Sequence, residues 1–310
     1  MKLFKNSPTL LLISYVVMFS STKILVRYLT FYFDTVTLMF FRYLVGSSSL
    51  MVISYLFFRD DLGKTIRDRR RLTGAVVLGA LWTVIDFLYV KGLSYTSATV
   101  ASLMDVFGLL MGIGWVALVF FDERKTIKSK SFTVGLILAV LAVVGLNLSK
   151  GAAISEYSLG IYYLVAAEVL VGGDSLFKKR LVVTSPNPVC LSSLVSAFAS
   201  IFFFIGALFF GDLTRITRVS CFINVVLFGS GICGLMIGAG LHFVCIKKAG
   251  LSKVNLISLS LPVFTGIFAY LFLKESLNTW QVLFAAILIG GCLLAIGKKR
   301  TAIGVKENCL

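Results

Sequence analysis

The chain has 310 residues, of which 58% are hydrophobic and only 14% are charged, and its formal net charge is +16. Because an average soluble domain carries about a quarter charged residues, this composition excludes a soluble protein whose apolar residues fill one core. A bilayer core about 30 Å thick needs roughly 20 apolar residues per helix, so the length accommodates about ten transmembrane helices.

Apolar runs separated by charged or Gly/Asn/Ser-containing breaks predict ten helices. In chain order they cover residues 8–29, 34–58, 72–93, 98–121, 131–149, 157–177, 187–210, 221–246, 253–273 and 279–297. The first run has no small-residue cleavage site and leads directly into a second span, so we count it as a span and not as a removable signal peptide. The predicted fold class is therefore all-α, a polytopic membrane protein with ten transmembrane helices.

The basic residues indicate how these helices are oriented, because cytoplasmic loops are enriched in Lys and Arg. With a cytoplasmic N-terminus, 22 of the 30 Lys and Arg residues fall in inner segments and six fall in outer segments. We therefore expect an integral protein of the bacterial inner (plasma) membrane, with the N-terminus and the tail 298–310 in the cytoplasm. Since the charge is spread over loops on one side, nucleic acid is not expected as a partner.

Cysteine and histidine usage argues against metal or redox chemistry. The six cysteines include no C-x-x-C pair and five of them lie in apolar stretches, so we interpret them as free thiols. One histidine and the absence of an H-E-x-x-H or comparable cluster make a metal site, a cofactor or enzymatic activity unexpected.

The two halves of the chain resemble each other. Helices three to five and eight to ten each contain a Lys-Gly or Lys-Ala-Gly turn, a Ser-led helix, an acidic-basic hinge at Glu123 or Glu275 and a final helix rich in small residues. An odd number of spans per half places the second half upside down relative to the first. We expect two inverted five-helix repeats, 8–149 and 157–297, as in alternating-access transporters, whose substrate site lies near the membrane midplane.

This order of motifs resembles EamA-type members of the drug/metabolite transporter superfamily. The motifs are Phe41-Arg42, the segment from Tyr89 to Ala98, Asp122-Glu123-Arg124, and Leu261-Pro262 with Lys274-Glu275 downstream. The resemblance implies a central cavity formed by helices one to four and six to nine, with helices five and ten at the periphery. The family often has proline in helix four, where this chain has Val106-Phe107-Gly108, so we expect a kink in helix nine but not in helix four.

Helix three carries the first candidate site residues. Ionisable groups inside spans cost about 2.5–3.5 kcal/mol each on insertion scales, so they are candidates for function. Trp82, Asp86 and Tyr89 recur at i, i+4 and i+7 and share one helical face, which suits a cation or a flat ring. The alternative is that the aromatic residues face lipid or neighbouring helices and that Asp86 only pairs with a basic group.

Helices four and six carry further acids. Asp105 lies on a face with small residues, where Gly108 and Gly112 are expected to serve helix packing. Glu168 lies midway along helix six, where its charge must be paired, hydrated or neutralised, so it is the first candidate for proton coupling. Asp174 is four residues before Lys178, a spacing that favours a plain surface pair.

His242, the only histidine, is a further proton-coupling candidate together with Asp86, and hydrogen-bonded packing is its alternative role. Lys23 and Arg42 fall toward the outer halves of spans one and two, and we expect them to balance the buried acids rather than to ligate an anionic substrate.

Helix nine contributes the last candidates. Asn255 and Ser258 share a face with Pro262, whose ring removes the helical hydrogen bond to the carbonyl of Ser258. A freed carbonyl is tolerated where it meets a cavity. The residues predicted to bind substrate are therefore Trp82, Asp86, Tyr89, Asp105, Glu168, Asn255 and Ser258.

The sequence thus predicts a secondary transporter of a small organic metabolite, with an amino acid or an amino-acid-derived cation such as S-adenosylmethionine as the leading substrate class. Export of aromatic metabolites or drugs is the alternative. A membrane-embedded enzyme is a remote alternative, and a channel is disfavoured because no segment resembles a selectivity filter. The expected partners are the substrate, the lipid bilayer and coupled protons or an exchanged counter-substrate.

Overall fold

The computed structural model describes residues 8–119, 130–148, 156–249, 254, 257–258, 260–275 and 278–297. The helices in chain order are α1 (Pro8–Leu29), α2 (Thr35–Phe57), α3 (Arg59–Arg67), α4 (Arg69–Tyr95), α5 (Ala98–Val119), α6 (Lys130–Leu148), α7 (Glu156–Thr184), α8 (Pro188–Phe210), α9 (Arg215–Arg218), α10 (Cys221–Gly231, Ile232–Ala239 and Gly240–Ala249), α11 (Leu261–Phe268 and Ala269–Leu273) and α12 (Thr279–Gly297). The middle segment of α10 and the second segment of α11 are π-helical. None of the described residues lies in a β-strand, and the all-α prediction is confirmed.

Six helices of the described ranges are long and apolar enough to cross a bilayer, namely α1, α2, α4, α7, α8 and α10. Four further apolar helices, within α5, α6, α11 and α12, are shorter over the residues described. The protein is therefore an integral membrane protein. The count of ten spans stays a prediction.

Short polar side chains fix where several helices begin, because the first backbone N–H groups of a helix have no partner within it. Before α4, Asp68 accepts a hydrogen bond from the N–H of Arg70 at 3.0 Å. Before α8, Asn187 accepts one from the N–H of Val189 at 3.0 Å, and Pro188 occupies the first helical position, where no N–H is needed.

A short helix that the apolar runs did not predict, α3, joins α2 to α4. Its first turn carries Asp60 and Asp61 and its last turn carries Lys64 and Arg67, the charge order that the helix dipole favours. Leu62 is buried. The apolar-run analysis missed α3 because charged residues dominate this segment.

One predicted boundary was wrong. The sixth predicted helix ended at residue 177, but α7 continues to Thr184, because Lys and Arg are good helix formers and the chain becomes apolar again after them. The ninth predicted helix, 253–273, begins outside the described residues, and within it residues 254, 257–258 and 261–273 are helical. Ser260 lies in a turn, and Pro262 follows in the first turn of the segment Leu261–Phe268, where a missing N–H is tolerated.

The helices pack in a pattern that is unchanged when the two halves of the chain are exchanged. The exchange replaces α1 by α7, α2 by α8, α4 by α10, α5 by α11 and α6 by α12. Corresponding helices pack together in the pairs α2 with α8, α5 with α11 and α6 with α12. The packing of α4 on α7 and α8 recurs as the packing of α10 on α1 and α2. This pattern is the one expected of two similarly folded halves, and their inverted orientation stays a prediction.

Glycine allows α4 and α7 to cross closely. A Cβ atom at Gly92 would lie 2.7 Å from the carbonyl oxygen of Gly160, and one at Gly160 would lie 2.9 Å from the carbonyl oxygen of Gly92. No side chain fits at such a crossing, which is the small-residue packing typical of membrane helices. The crossing brings Asp86 of α4 and Glu168 of α7 to the same interior space.

Candidate functional site: a charged central cavity

A cavity of about 240 Å³ lies at the centre of the helix bundle. Nine of the ten residues singled out from the sequence line it: Lys23, Arg42, Trp82, Asp86, Tyr89, Asp105, Glu168, His242 and Ser258. The tenth, Asn255, lies outside the described residues. The resemblance implied a wall that includes helix seven, but the corresponding helix α8 supplies none of the described lining residues.

Lys23 of α1 and Asp105 of α5 form a buried ion pair. Their side chains are 7% and 22% exposed, and the ammonium group of Lys23 also lies 5.5 Å from the centre of the Tyr89 ring. Because an isolated charge is costly away from water, the carboxylate of Asp105 makes a lysine tolerable in the interior of α1.

Glu168 of α7 is 2% exposed and faces α5. A Cβ atom at Gly108 would overlap its carboxylate, so the glycine provides the space that the acid occupies. Among the described residues no basic side chain lies within ion-pairing distance of Glu168, and Lys23 is the cation that acts on it electrostatically. The ion-pair contact of Lys23 is with Asp105, so Glu168 makes no ion pair of its own in the described part of the chain.

Gly108→Ala is expected to lower the unfolding temperature of the purified protein, because the added methyl group must displace the Glu168 carboxylate. Overpacking of this kind costs about 1–3 kcal/mol. Thermal unfolding in detergent measures the effect. Gly290→Ala in α12 is the matched control, since a Cβ atom there meets no atom within 4 Å. Equal unfolding temperatures for the two variants would contradict the close contact.

Asp86 and Arg42 have different partners from those expected. The hydroxyl of Tyr43 donates a hydrogen bond to Asp86 Oδ2 at 2.5 Å. Arg42 donates from Nε to Ser230 Oγ and from NH1 to Met39 Sδ, each at 3.1 Å. No carboxylate of the described residues lies within ion-pairing distance of Arg42, so this guanidinium is held by neutral groups and keeps donors free.

Asp174 and Lys178 form a buried pair on the cavity wall. Lys178 Nζ lies 2.6 Å from Asp174 Oδ2, and the two side chains are 7% and 2% exposed. Trp82 Nε1 donates to Asp174 Oδ1 at 3.2 Å, and Lys178 Nζ lies 5.4 Å from the centre of the Trp82 ring. The predicted surface pair was wrong in its location, because α7 continues beyond residue 177 and keeps both residues inside the bundle.

His242 packs among aromatic rings at another side of the cavity. Its ring centre lies 5.2 Å from that of Tyr15 and 6.2 Å from that of Phe19. Ser258 donates to the carbonyl oxygen of Val254 at 2.9 Å and so satisfies itself on its own helix. Whether either residue contacts substrate stays a prediction.

The sequence interpretation missed Tyr15 and Tyr43, which line the cavity beside the predicted acids. A tyrosine inside a span combines an apolar ring with a hydroxyl that needs a partner, and this was the available signal. In α4, the third predicted helix, the spacing argument was sufficient, because Trp82, Asp86 and Tyr89 all face the cavity and not the lipid.

A polar clamp joins four helix ends beside one end of the cavity. Arg27 Nε donates to Glu275 Oε1 at 3.1 Å, and Arg27 NH1 donates to the carbonyl oxygens of Leu93 and Ser94 at 3.1 and 3.0 Å. The N–H of Ala98 donates to Glu275 Oε2 at 2.9 Å. These contacts tie α1 to α11, to the end of α4 and to the start of α5. Glu275, one of the two predicted hinge residues, therefore connects α1 to the start of α5 through its carboxylate. The other, Glu123, lies outside the described residues.

The net charge of the cavity wall follows from its lining residues. Four carboxylates, Asp86, Asp105, Glu168 and Asp174, face three cations, Lys23, Arg42 and Lys178. With these groups ionised and His242 neutral, the described wall carries one negative charge in excess. Within the described ranges no three His, Cys, Asp or Glu side chains are placed to hold a metal ion. The arrangement can therefore attract one additional positive charge, from a solute or from a proton.

Comparison with known proteins shows a match to the EamA-like transporter family over residues 6–148 and again over 158–297. An uncharacterized transporter of Haemophilus influenzae is 26% identical over 300 residues, which cover 95% of this chain and 98% of that protein. The uncharacterized transporter YetK of Bacillus subtilis is 26% identical over 276 residues, covering 84% of this chain and 77% of that protein. One crystal structure shares the fold, with a TM-score of 0.64 and 16% identity over 96% of this chain and 99% of the other.

Proposed function

The chain belongs to the EamA-like transporter family, and from this premise we propose that it is a secondary transporter that exchanges a proton for a small amino acid or amino-acid-derived cation by alternating access. The observation that carries the proposal is the imbalance of the groups that line the cavity, four carboxyl groups against three basic side chains. A buried charge without a partner is costly, so ionised acids in excess of the basic groups favour binding of one further positive group.

The cavity residues suit both ends of an amino acid. In the proposed complex the substrate ammonium group lies near Glu168 and Asp86, with the faces of Tyr89 and Trp82 providing cation–π attraction. The substrate carboxylate lies near Arg42, whose remaining donors match a planar carboxylate. A purely cationic substrate uses the first set alone.

The size of the cavity favours a single amino acid over a larger member of the proposed class. Sites for drug-sized ligands occupy about 300–1,000 Å³, whereas this cavity has about 240 Å³. S-Adenosylmethionine, with its additional nucleoside, needs a wider cavity than this conformation provides. A small basic or zwitterionic amino acid is therefore the first solute to test.

Glu168 is the proposed site of proton exchange, because it is 2% exposed and makes no ion pair among the described residues. Asp86 makes no ion pair there either, but it is less buried and accepts a hydrogen bond from Tyr43. When the substrate ammonium leaves, a proton on Glu168 restores the neutrality of the wall. When substrate returns, it displaces that proton. Glu168 thus binds the proton and the substrate ammonium group in turn, which couples proton transport to substrate transport.

Alternating access is supported by the exchange symmetry of the helix packing and by the clamp at one cavity end. Five spans in each half make the two halves inverted, so the same rearrangement opens opposite ends in turn. The Lys and Arg distribution supports our placement of the clamp on the outer face, with both termini in the cytoplasm. Opening of the outer end then requires separation of Arg27 from Glu275.

Glu275→Gln is expected to increase outer access to the cavity, because the neutral amide holds Arg27 less strongly than the carboxylate does. The measurement is labelling of a cysteine introduced at cavity residue Val26 (Val26→Cys) by a membrane-impermeant thiol reagent, with the native cysteines replaced. We expect labelling several-fold faster than with Glu275 intact. Asp212→Asn is the control, since Asp212 pairs with Arg218 on an exposed loop away from the cavity. Unchanged labelling in Glu275→Gln would argue against the clamp as a gate.

Uptake by proteoliposomes tests the proposed substrate class. Radiolabelled basic, zwitterionic and neutral aromatic solutes are compared, first with the unmodified protein and then with Asp86→Asn/Glu168→Gln. Loss of basic and zwitterionic uptake in the double variant supports the electrostatic site, and unchanged uptake refutes it. Transport of neutral aromatic solutes alone would instead favour the exporter of aromatic metabolites or drugs. Single-channel currents in a bilayer would overturn the assignment to a carrier.

A further inference from the structure

A second concavity lies on the membrane-facing surface, separate from the central cavity. This groove has a volume of about 440 Å³ and is lined mainly by apolar side chains. Three helices form its walls. The lining residues include Leu25 and Tyr28 of α1, Val226 of α10, and Phe268 and Phe272 of α11. Phe272 is 73% exposed, so the groove is open to the surroundings of the bundle, which in a membrane are lipid chains.

The groove coincides with an irregularity in α11. Its final segment, Ala269–Leu273, is π-helical and contributes Phe272 and Leu273 to the wall. A π-helical turn is wider than an α-helical one and is frequently found at functional sites. No residue that lines the central cavity lines this groove, so the substrate site does not explain it.

Two basic residues, Arg215 and Lys274, lie next to residues that line the groove, although neither lines it. The Tyr28 hydroxyl lies 3.2 Å from that of Tyr32, and Arg215 Nε donates to the carbonyl oxygen of Tyr32 at 3.0 Å. On the other wall Lys274 directly follows the lining residue Leu273. In the described part of the chain neither Arg215 nor Lys274 has a carboxylate within ion-pairing distance. The apolar groove thus has two cations beside it, and neither forms an ion pair with a described acid.

We propose that this groove binds one acyl chain of an anionic membrane phospholipid, whose phosphate group lies beside Arg215 and Lys274. The acyl chain gains little hydrophobic free energy by leaving the bilayer, because lipid tails are as apolar as the groove. The groove therefore fixes the position of the chain by packing, and the headgroup sets which lipid is preferred. Each basic residue near a membrane surface strengthens attraction to an anionic lipid by about fivefold.

Native mass spectrometry of the protein released from mixed lipid tests the groove. We expect phosphatidylglycerol to be retained roughly five- to twentyfold more than phosphatidylcholine, as two basic residues imply. Val226→Trp fills the groove and should remove this retained lipid. Val225→Trp is the matched control, because Val225 is 62% exposed and does not line the groove. Equal retention of the two lipids by the unmodified protein, or undiminished retention by Val226→Trp, would overturn the proposal.

A measurement on the unmodified protein keeps the test independent of how the variants fold. Phosphatidylglycerol with a photoreactive group near the end of one acyl chain is incorporated into nanodiscs and crosslinked. Crosslinks should concentrate in residues 222–226 and 268–273. An even spread over all lipid-facing helices would mean that the groove holds no specific lipid. Arg215→Gln/Lys274→Gln should then reduce the preference for phosphatidylglycerol while Lys179→Gln, an exposed lysine of α7, leaves it unchanged.

Discussion

Glu168→Gln is expected to reduce uptake of a basic amino acid into proteoliposomes by roughly tenfold to a hundredfold, and to remove its dependence on a pH gradient. The amide keeps nearly the same shape but carries no charge and exchanges no proton. A hydrogen bond to a charged group contributes about 1.5–3 kcal/mol, which gives the expected range. Initial uptake rates at equal protein content, with and without an imposed pH gradient, are the measurement.

A carboxylate outside the cavity is the control for this substitution. Asp60→Asn changes an exposed acid in the first turn of α3, and it should leave both the rate and its pH-gradient dependence unchanged. If Glu168→Gln retained full uptake with the same response to the gradient, Glu168 would not be the exchanging group. Asp86 would then be the next acid to neutralise, since it lines the same cavity.

Lys23→Met is expected to destabilise the protein by about 3–5 kcal/mol, because it leaves Asp105 as a buried acid without its counter-ion. The double variant Lys23→Met/Asp105→Leu should recover most of this loss, since replacing a buried pair by apolar residues is often neutral or stabilising. Unfolding in detergent, followed for both single variants and the double variant, gives the coupling free energy of the pair.

The exposed pair Arg218 and Asp212 provides the comparison for this cycle. Its side chains are 65% and 43% exposed, so water and salt screen the interaction. Neutralising either partner should therefore leave the unfolding temperature nearly unchanged. Additive effects at Lys23 and Asp105, like those at the exposed pair, would contradict a buried ion pair in the folded protein.

Much of the architecture was predictable because it depends on local sequence. Hydrophobic runs located the helices, and a helical period of 3.6 residues placed Trp82, Asp86 and Tyr89 on one face before any neighbour was known. The structure confirms the all-α membrane class, and the family match confirms the resemblance. The predicted end of α7 was wrong for a local reason as well, because three basic residues interrupt the apolar run without ending the helix.

The partners of the charged side chains could not be predicted, because they depend on which distant helices come into contact. Arg27 and Glu275 are 248 positions apart, and Arg42 and Ser230 are 188 positions apart. Sequence spacing did identify Asp174 and Lys178 as a pair, but it could not show that Trp82 of another helix covers them. Spacing along one helix reports its faces, whereas the surroundings of each face are set by tertiary packing.

The exchange of one proton for one substrate cation can be measured directly by a pH-sensitive dye trapped inside proteoliposomes. Addition of a basic amino acid outside should raise the internal pH as substrate enters and protons leave, and Glu168→Gln should abolish this rise. Accumulation of the amino acid with no change of internal pH would contradict the proposal that the excess carboxylate of the cavity binds substrate and proton in turn.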